Sequence, residues 1–156
     1  MRNPLSIAAA AAAAILLAAT PLRAQDAQSA VWDASISGDT VALVKALDDG
    51  AKIDSLDTRR SQNGRMALNW AAYNNHAAAA RILLDRGAPI EAKNLTGFTA
   101  LHHAAEAGSL EAAEVLVARG AKLDTTNRTG ATPLETAIEQ GQTAMVAALK
   151  KAAEPR

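Results

Sequence analysis

Residues 97–105 read Gly-Phe-Thr-Ala-Leu-His-His-Ala-Ala, and related segments begin at Gly64 and at Gly130, which lie at equal distances before and after Gly97. Gly87 and Gly120 recur at the same period. A fixed period of 33 residues is typical of stacked helical repeats, in which neighbouring units bury a shared core. Residues that match between units are therefore predicted to be scaffold, and residues that differ are candidates for function.

The recurring segments resemble the ankyrin repeat, whose mark is Gly-x-Thr-Pro-Leu-His-x-Ala-Ala. The resemblance covers about residues 30–151 and implies an all-α ankyrin-repeat solenoid of about four helix-turn-helix units with projecting β-turn fingers. We assign residues 25–151 to the repeat domain and residues 152–156 to a C-terminal tail. The units are predicted at about 30–54, 55–91, 92–124 and 125–151.

Several repeated residues have a predicted structural role. Thr99 and Thr132 can cap the first helix of their units, and Pro133 suits the first turn of such a helix. Gly87 and Gly120 end the second helix, where a positive φ is wanted. These residues predict the helix boundaries in each unit.

Asn94 and Asn127 begin Asn-x-Thr sequences at one repeat position. Because the spacing equals the repeat period, we expect these side chains to close the turn rather than to serve as glycosylation sites.

The units differ at their ends and in one turn. The first unit lacks a full turn, and the last has Lys150 at a position that is apolar in the other units, as expected of capping units. Four extra residues lie between Gly50 and Gly87 and fall in the turn at 56–63. Replacements at the capping positions of the second and fourth units predict weaker helix caps there, so we expect the third unit to be the best ordered.

Residues 1–24 have the layout of a secretory signal peptide. Arg2 precedes an apolar run from Leu5 to Ala19, and Pro21 then leads to a small residue, Ala24. We expect cleavage after Ala24, with Ala27 or Ala30 as the alternative sites. The run spans about 22 Å as a helix, short of the roughly 30 Å of a hydrocarbon core, so no membrane anchor is expected after cleavage. The alanine-rich composition favours a bacterial source, and hence the periplasm.

Composition excludes several kinds of function. The chain has no cysteine, which excludes disulfides, thiolate metal sites and a cysteine nucleophile. Without Arg2 and Arg23, 14 basic residues stand against 16 acidic ones, which is no footprint for nucleic acid. Phosphate-binding loops, nucleophile elbows and zinc-helix motifs are absent, and we expect neither enzymatic activity nor a cofactor or metal.

The histidines support an alternative interpretation. His102 occupies the histidine position of the repeat, where the resemblance implies that the ring hydrogen-bonds the turn backbone. His103 aligns with Trp70, which favours packing between units. A metal or acid–base site built on His76, His102 and His103 is the less favoured alternative, because adjacent helical residues point about 100° apart.

Two aromatic residues stand outside the repeat frame. Trp32 and Trp70 fit as packing residues, whereas Tyr73 aligns with glutamates on the first helix and Phe98 lies at the foot of a turn. The resemblance implies that both positions face the concave groove that binds partners, where exposed aromatics are candidate anchors. Covering a gap between units is the alternative role.

Charged residues are predicted to surround these anchors. A lengthened basic turn and the later turns would suit an acidic strip on a partner, while the helix side of the groove is acidic. A merely solvated loop is the alternative. The predicted partner-binding residues are Tyr73, Phe98, Arg59, Arg60, Arg65, Asn74, Glu106, Ala107, Arg128, Glu139 and Gln140.

The sequence thus predicts a passive, non-enzymatic module that binds a client protein through its concave face and finger tips. Ankyrin domains stabilise, inhibit or localise their clients, and the sequence does not choose among these outcomes. A structural subunit that associates with itself is the alternative function.

Overall fold

The structure, a computed structural model, describes residues 25–60 and 62–154. The predicted signal peptide at 1–24 lies outside these residues. The described chain is all-α, as predicted, and its one isolated β-bridge pairs Asp57 with Arg65. The helices are α1 (25–37), α2 (Thr40–Asp48), α3 (Ala67–Tyr73), α4 (Ala77–Asp85), α5 (Ala100–Ala107), α6 (Leu110–Ala118), α7 (Pro133–Glu139) and α8 (Thr143–Ala152).

The helices form two layers of a solenoid. In the inner layer, α5 packs between α3 and α7, and in the outer layer α4, α6 and α8 pack in succession. In the second, third and fourth units the inner helix also packs on the outer helix that follows it. Within the described ranges, every helix falls short of the length and hydropathy that a membrane-spanning segment requires.

Pairs of adjacent alanines lie on the buried faces of the inner helices. Ala71 and Ala72 of α3 are fully buried, and so are Ala104 and Ala105 of α5. A methyl group is the smallest side chain that still contributes apolar contact, so these helices can approach closely without leaving a void. The pairing of alanines in the sequence is thereby explained by the packing of inner helices.

The fingers are the turns that join the outer helix of one unit to the inner helix of the next, and two of them are closed by asparagine side chains. Asn94 Oδ1 accepts hydrogen bonds from the N–H groups of Thr96 (3.0 Å) and Phe98 (2.9 Å). Asn127 Oδ1 makes the same bonds one unit later, to Thr129 and Ala131. The predicted turn-closing role is confirmed, and the bonds are made by the oxygen of each side-chain amide.

Neighbouring fingers are joined through their backbones. The Leu95 N–H donates to the Asn63 carbonyl (2.9 Å), and the Arg128 N–H donates to the Thr96 carbonyl (3.2 Å). These bonds tie the fingers of successive units into one row, so each finger is held by the next.

A side chain at one position of the repeat ties each unit to the one before it. In the second, third and fourth units, the side chain of the residue that N-caps the outer helix donates a hydrogen bond to a backbone carbonyl near the end of the inner helix of the preceding unit. The pairs are His76 Nε2 to Ile36 O (2.9 Å), Ser109 Oγ to Tyr73 O (2.8 Å) and Gln142 Nε2 to Glu106 O (3.2 Å).

Asn75 caps a helix of the following unit. It has a φ of 59°, at the position where later units have glycine. Its Oδ1 accepts from the Ala112 N–H (3.1 Å), and so Asn75 caps α6 of the next unit. The side-chain cap of α6 thus comes from another unit, while the hydroxyl of its own N-cap residue, Ser109, makes no cap bond and donates to the Tyr73 carbonyl.

The fourth unit is better capped than the sequence predicts. In α7, Thr132 Oγ1 accepts from the Glu135 N–H (3.3 Å), and Glu135 Oε2 accepts from the Thr132 N–H (2.7 Å). This is a complete capping box, so the prediction of a weak cap is wrong for this unit. The glutamate carboxylate accepts the bond that the histidine ring accepts in α5.

Two finger glycines give a matched test of finger packing. Gly97 and Gly130 have φ values of 82° and 86°, but a Cβ on Gly97 would lie 2.8 Å from the backbone nitrogen of Arg128, whereas one on Gly130 would meet nothing within 4 Å. Gly130→Ala should cost about 1 kcal/mol of unfolding free energy, from the positive φ alone. Gly97→Ala should cost at least about 2 kcal/mol, because backbone must also move. Urea denaturation would measure both, and equal losses would contradict the finger contact.

Candidate functional site

Arg65 lies between aromatic rings at the foot of its finger. Its guanidinium carbon is 4.7 Å from the ring centroid of Trp70 and 4.3 Å from that of Tyr73, and its side chain is 15% exposed. Such cation–π contacts strengthen when water is excluded. Nη2 also lies 3.4 Å from Glu106 Oε2 on α5, so Arg65 links the second and third units.

His103 is buried and lies next to both Glu106 and Asn94. Its Nδ1 lies 3.1 Å from Glu106 Oε2, and its Nε2 lies 3.3 Å from Asn94 Nδ2. Asn94 Oδ1 is occupied by backbone N–H groups of its own finger, so the amide must present its NH₂ to the ring. The network therefore assigns a neutral His103 that donates from Nδ1 and accepts at Nε2.

The pKa values of the pair agree with this assignment. Burial lowers the pKa of His103, and the hydrogen bond to Glu106 opposes that shift only in part. The same hydrogen bond lowers the pKa of Glu106, and the charge of Arg65 adds to this effect. At neutral pH the site therefore holds an ionised Glu106, a charged Arg65 and a neutral imidazole.

His102 has the opposite tautomer and a structural position. Its Nδ1 accepts from the Thr99 N–H (3.3 Å), and its Nε2–H donates to the Ala131 carbonyl (3.0 Å). Burial lowers its pKa as well. The ring therefore ties the cap of α5 to the next finger, in line with the role that the repeat pattern implies.

Phe98 covers both histidines. Its ring centroid lies 5.3 Å from that of His102 and 5.3 Å from that of His103, and the residue is half-buried. Tyr73, also half-buried, meets His103 edge-on with centroids 6.4 Å apart. Both predicted anchors thus cover polar rings and still present surface to solvent.

An open pocket of about 280 Å³ adjoins this cluster on the concave face, the surface formed by the fingers and inner helices. It brings together four of the predicted partner-binding residues, Arg65, Phe98, Glu106 and Arg128. Its other lining residues are Asn63, Thr96, His103 and Thr129, of which the sequence indicates only His103 as a site residue, in the less favoured metal or acid–base alternative. Asn63, Thr96 and Thr129 occupy the same position in successive units, and this equal spacing is a signal that could have placed them together.

The remaining inner-helix predictions lie beyond the pocket. Asn74 and Gln140 follow the last residues of α3 and α7, and Ala107 ends α5. Asn74 Nδ2 donates to the Trp70 carbonyl (2.9 Å), whereas Glu139 and Gln140 are exposed.

The lengthened turn is tied to the first unit. Arg59 donates to Asp57, which is fully buried, and to Asp33 on α1, while Arg60 donates to the same Asp33 oxygen (3.1 Å). Arg59 also lies over the ring of Trp32, and its hydrogen bond to Asp57 raises its pKa. Both arginines are therefore paired with carboxylates and lie outside the pocket, and their contact with a partner stays a prediction.

The histidines do not gather as a metal site in the described part of the chain. His76 Nε2 bonds to a backbone carbonyl, and both ring nitrogens of His102 and His103 have hydrogen-bond partners. Among residues 25–60 and 62–154, no group of three or more histidine, aspartate or glutamate side chains is placed to hold a metal ion.

Acidification should destabilise the fold. The folded-state pKa of His102 and His103 lies below the ordinary value of 6.5, so the unfolded chain takes up protons first as pH falls. The stabilising contribution of Glu106 is lost at still lower pH, as pH falls through its depressed folded-state pKa. The urea midpoint should therefore be lower at about pH 5 than at about pH 7.

A variant tests the origin of this dependence. His102→Asn substitutes the residue found at the same position in α3, where Asn69 Oδ1 accepts from the Met66 N–H (2.9 Å). It should lower the midpoint at both pH values and reduce the difference between them. A midpoint that rises on acidification would contradict the assignment of neutral histidines.

Comparison with known proteins gives one family. The family model described as ankyrin repeats (3 copies) matches residues 31–127 and 91–156. No curated protein shows significant similarity to the chain. Ankyrin repeats generally serve as protein-interaction modules. With its stacked helix pairs, its row of fingers and this match over most of its length, the chain belongs to the ankyrin-repeat family.

Proposed function

We propose that this protein binds a client protein through its concave face, with Tyr73 and Phe98 as the central anchors. The observation that supports the proposal is the half-buried aromatic pair beside an open pocket whose wall contains arginine, histidine and glutamate. Aromatic and arginine side chains are enriched at the centres of protein interfaces. The mechanism is passive: a rigid stack presents a preformed surface.

Preorganisation supports this mechanism. The backbones of Tyr73 and Glu106 are held by Ser109 and Gln142 of the following units. The ring of Phe98 rests on histidines whose nitrogens are bonded. A surface already held in place loses little conformational entropy when a partner binds, and therefore converts more of its contacts into affinity.

We further propose that the protein is exported and acts without catalysis in the bacterial periplasm. The leader pattern of Arg2, the apolar run and Ala24 supports export. In this compartment the client would be another exported protein that is stabilised, inhibited or localised by the stack.

Self-association is a second candidate function, and the last unit supports it. Ile138 of α7 is 55% exposed, whereas the equivalent Ala72 and Ala105 are fully buried. A second copy could cover this apolar end of the inner layer. A monomer mass by sedimentation that stays constant with concentration would exclude this function.

A comparison of variants tests the concave face. The mature chain would be crosslinked within the exported fraction of its source cells, beside Tyr73→Ala/Phe98→Ala and Phe98→Ala. Alanine occupies the same position in the fourth unit, as the buried Ala131, so Phe98→Ala should fold. We expect one protein to be captured by the wild type and reduced at least about tenfold by the double variant, the loss of a hot-spot pair.

Val41→Ala serves as the control, because it removes apolar surface from α2 at a residue that is 80% exposed. It should leave capture unchanged. All variants would be compared at matched thermal stability, with the single variant Phe98→Ala as the safeguard if the double variant unfolds. Capture that survives the loss of both aromatics, or that falls equally in Val41→Ala, would contradict a concave-face site.

A further inference from the structure

Arg65 is held firmly and uses few of its donors. A guanidinium carries five N–H groups, and the contact to Glu106 at 3.4 Å is its one ion pair among the described residues. Nε is buried without a hydrogen-bond partner in the same part of the chain. The two aromatic rings, and not a set of acceptors, therefore fix the guanidinium at the pocket wall.

Arg128 lies at the same pocket with its charge available. The residue is exposed, and within the described ranges no carboxylate pairs with its guanidinium. Its backbone N–H is bonded to the Thr96 carbonyl, so its place in the finger row is set. The side chain can therefore turn toward a bound group without breaking a contact.

The charges of the pocket favour an anion. Arg65 and Arg128 are positive, Glu106 is negative, and His103 is neutral. The carboxylate of Glu106 already accepts from both His103 and Arg65 through Oε2. A cation from a partner would find a single carboxylate that Arg65 and His103 already hold, and would meet the positive charge of Arg128, whereas an anion meets an excess of donors.

We propose that this pocket receives the carboxylate of an aspartate or glutamate side chain on the partner, between the guanidiniums of Arg65 and Arg128 and against the ring of Phe98. Arginine suits this role because its planar donors match a carboxylate in two-bonded geometry. The inference rests on the proposed function and states the chemistry of its central contact. It replaces an acidic strip along all the fingers by one acidic residue at one pocket.

Titration with small amides tests the pocket without the client. N-acetyl-glutamate amide, N-acetyl-glutamine amide and N-acetyl-lysine amide would be added to the ¹⁵N-labelled protein, with NMR detection of backbone amides and arginine Nε–H groups. The glutamate probe should shift the signals of Arg65, Arg128 and Thr96 saturably, with a dissociation constant on the order of 10 mM. It should bind at least about tenfold more tightly than the glutamine probe, because a charge-assisted bond replaces a neutral one.

Matched variants locate the effect. Arg128→Gln should remove most of the preference for glutamate over glutamine and leave the fold unchanged, because its side chain is exposed. Arg119→Gln removes an equal charge next to the outer helix α6, where Arg119 pairs with Asp85, and should preserve the preference. No saturable shift at roughly ten times the expected constant, equal binding of glutamate and glutamine probes, or tighter binding of lysine would overturn the proposal.

The outcome is separable from that of the proposed function. Capture of a client that depends on Phe98 but not on Arg128, without a glutamate preference in the titration, would overturn the carboxylate pocket alone. A clear glutamate preference with no client captured would support the pocket and count against the protein-binding function.

Discussion

The close approach of the inner helices is the constraint on which the rest of the structure depends. It is possible because α3 and α5, which pack on each other, carry alanine pairs that are completely buried. A larger side chain there would force the helices apart by more than a hydrogen bond can stretch. The bonds between units and the contacts of the site span this fixed separation.

The candidate site is a product of that spacing. Glu106 on α5 can meet Arg65 of the preceding unit because the units stack at a constant distance. The same residue is held from the other side, where its backbone carbonyl accepts from Gln142. Glu106 is thus positioned by both of its neighbours, and His103 beneath it sets its ionisation. A surface assembled from separate units behaves as one preformed pocket.

Features that recur in every unit could be predicted from the sequence, whereas contacts made in one unit only could not. The period predicts the helices, the fingers and the turn-closing asparagines, because each is dictated by backbone geometry that is the same in every unit. It also placed Tyr73 and Phe98 outside the scaffold, which is where the structure puts half-buried aromatic rings. These features could be predicted because one unit explains another.

The individual contacts could not be predicted in this way. The bonds from Arg59 and Arg60 to Asp33 belong to a lengthened turn that has no equivalent elsewhere in the chain. Alignment with Trp70 suggested that His103 is a packing residue, although its i,i+3 spacing from Glu106 on a helix could have indicated a pair. Long-range pairing of this kind depends on distances that a repeat pattern does not contain.

Residue-resolved hydrogen exchange tests most directly whether the third unit holds the site together. Its inner helix is capped by Thr99, fixed to the next finger by His102 and packed on both sides by other inner helices. The account predicts that amides in residues 99–117 exchange more slowly than those in residues 66–84. Slower exchange in residues 66–84 would contradict it and would place the organising centre in the second unit.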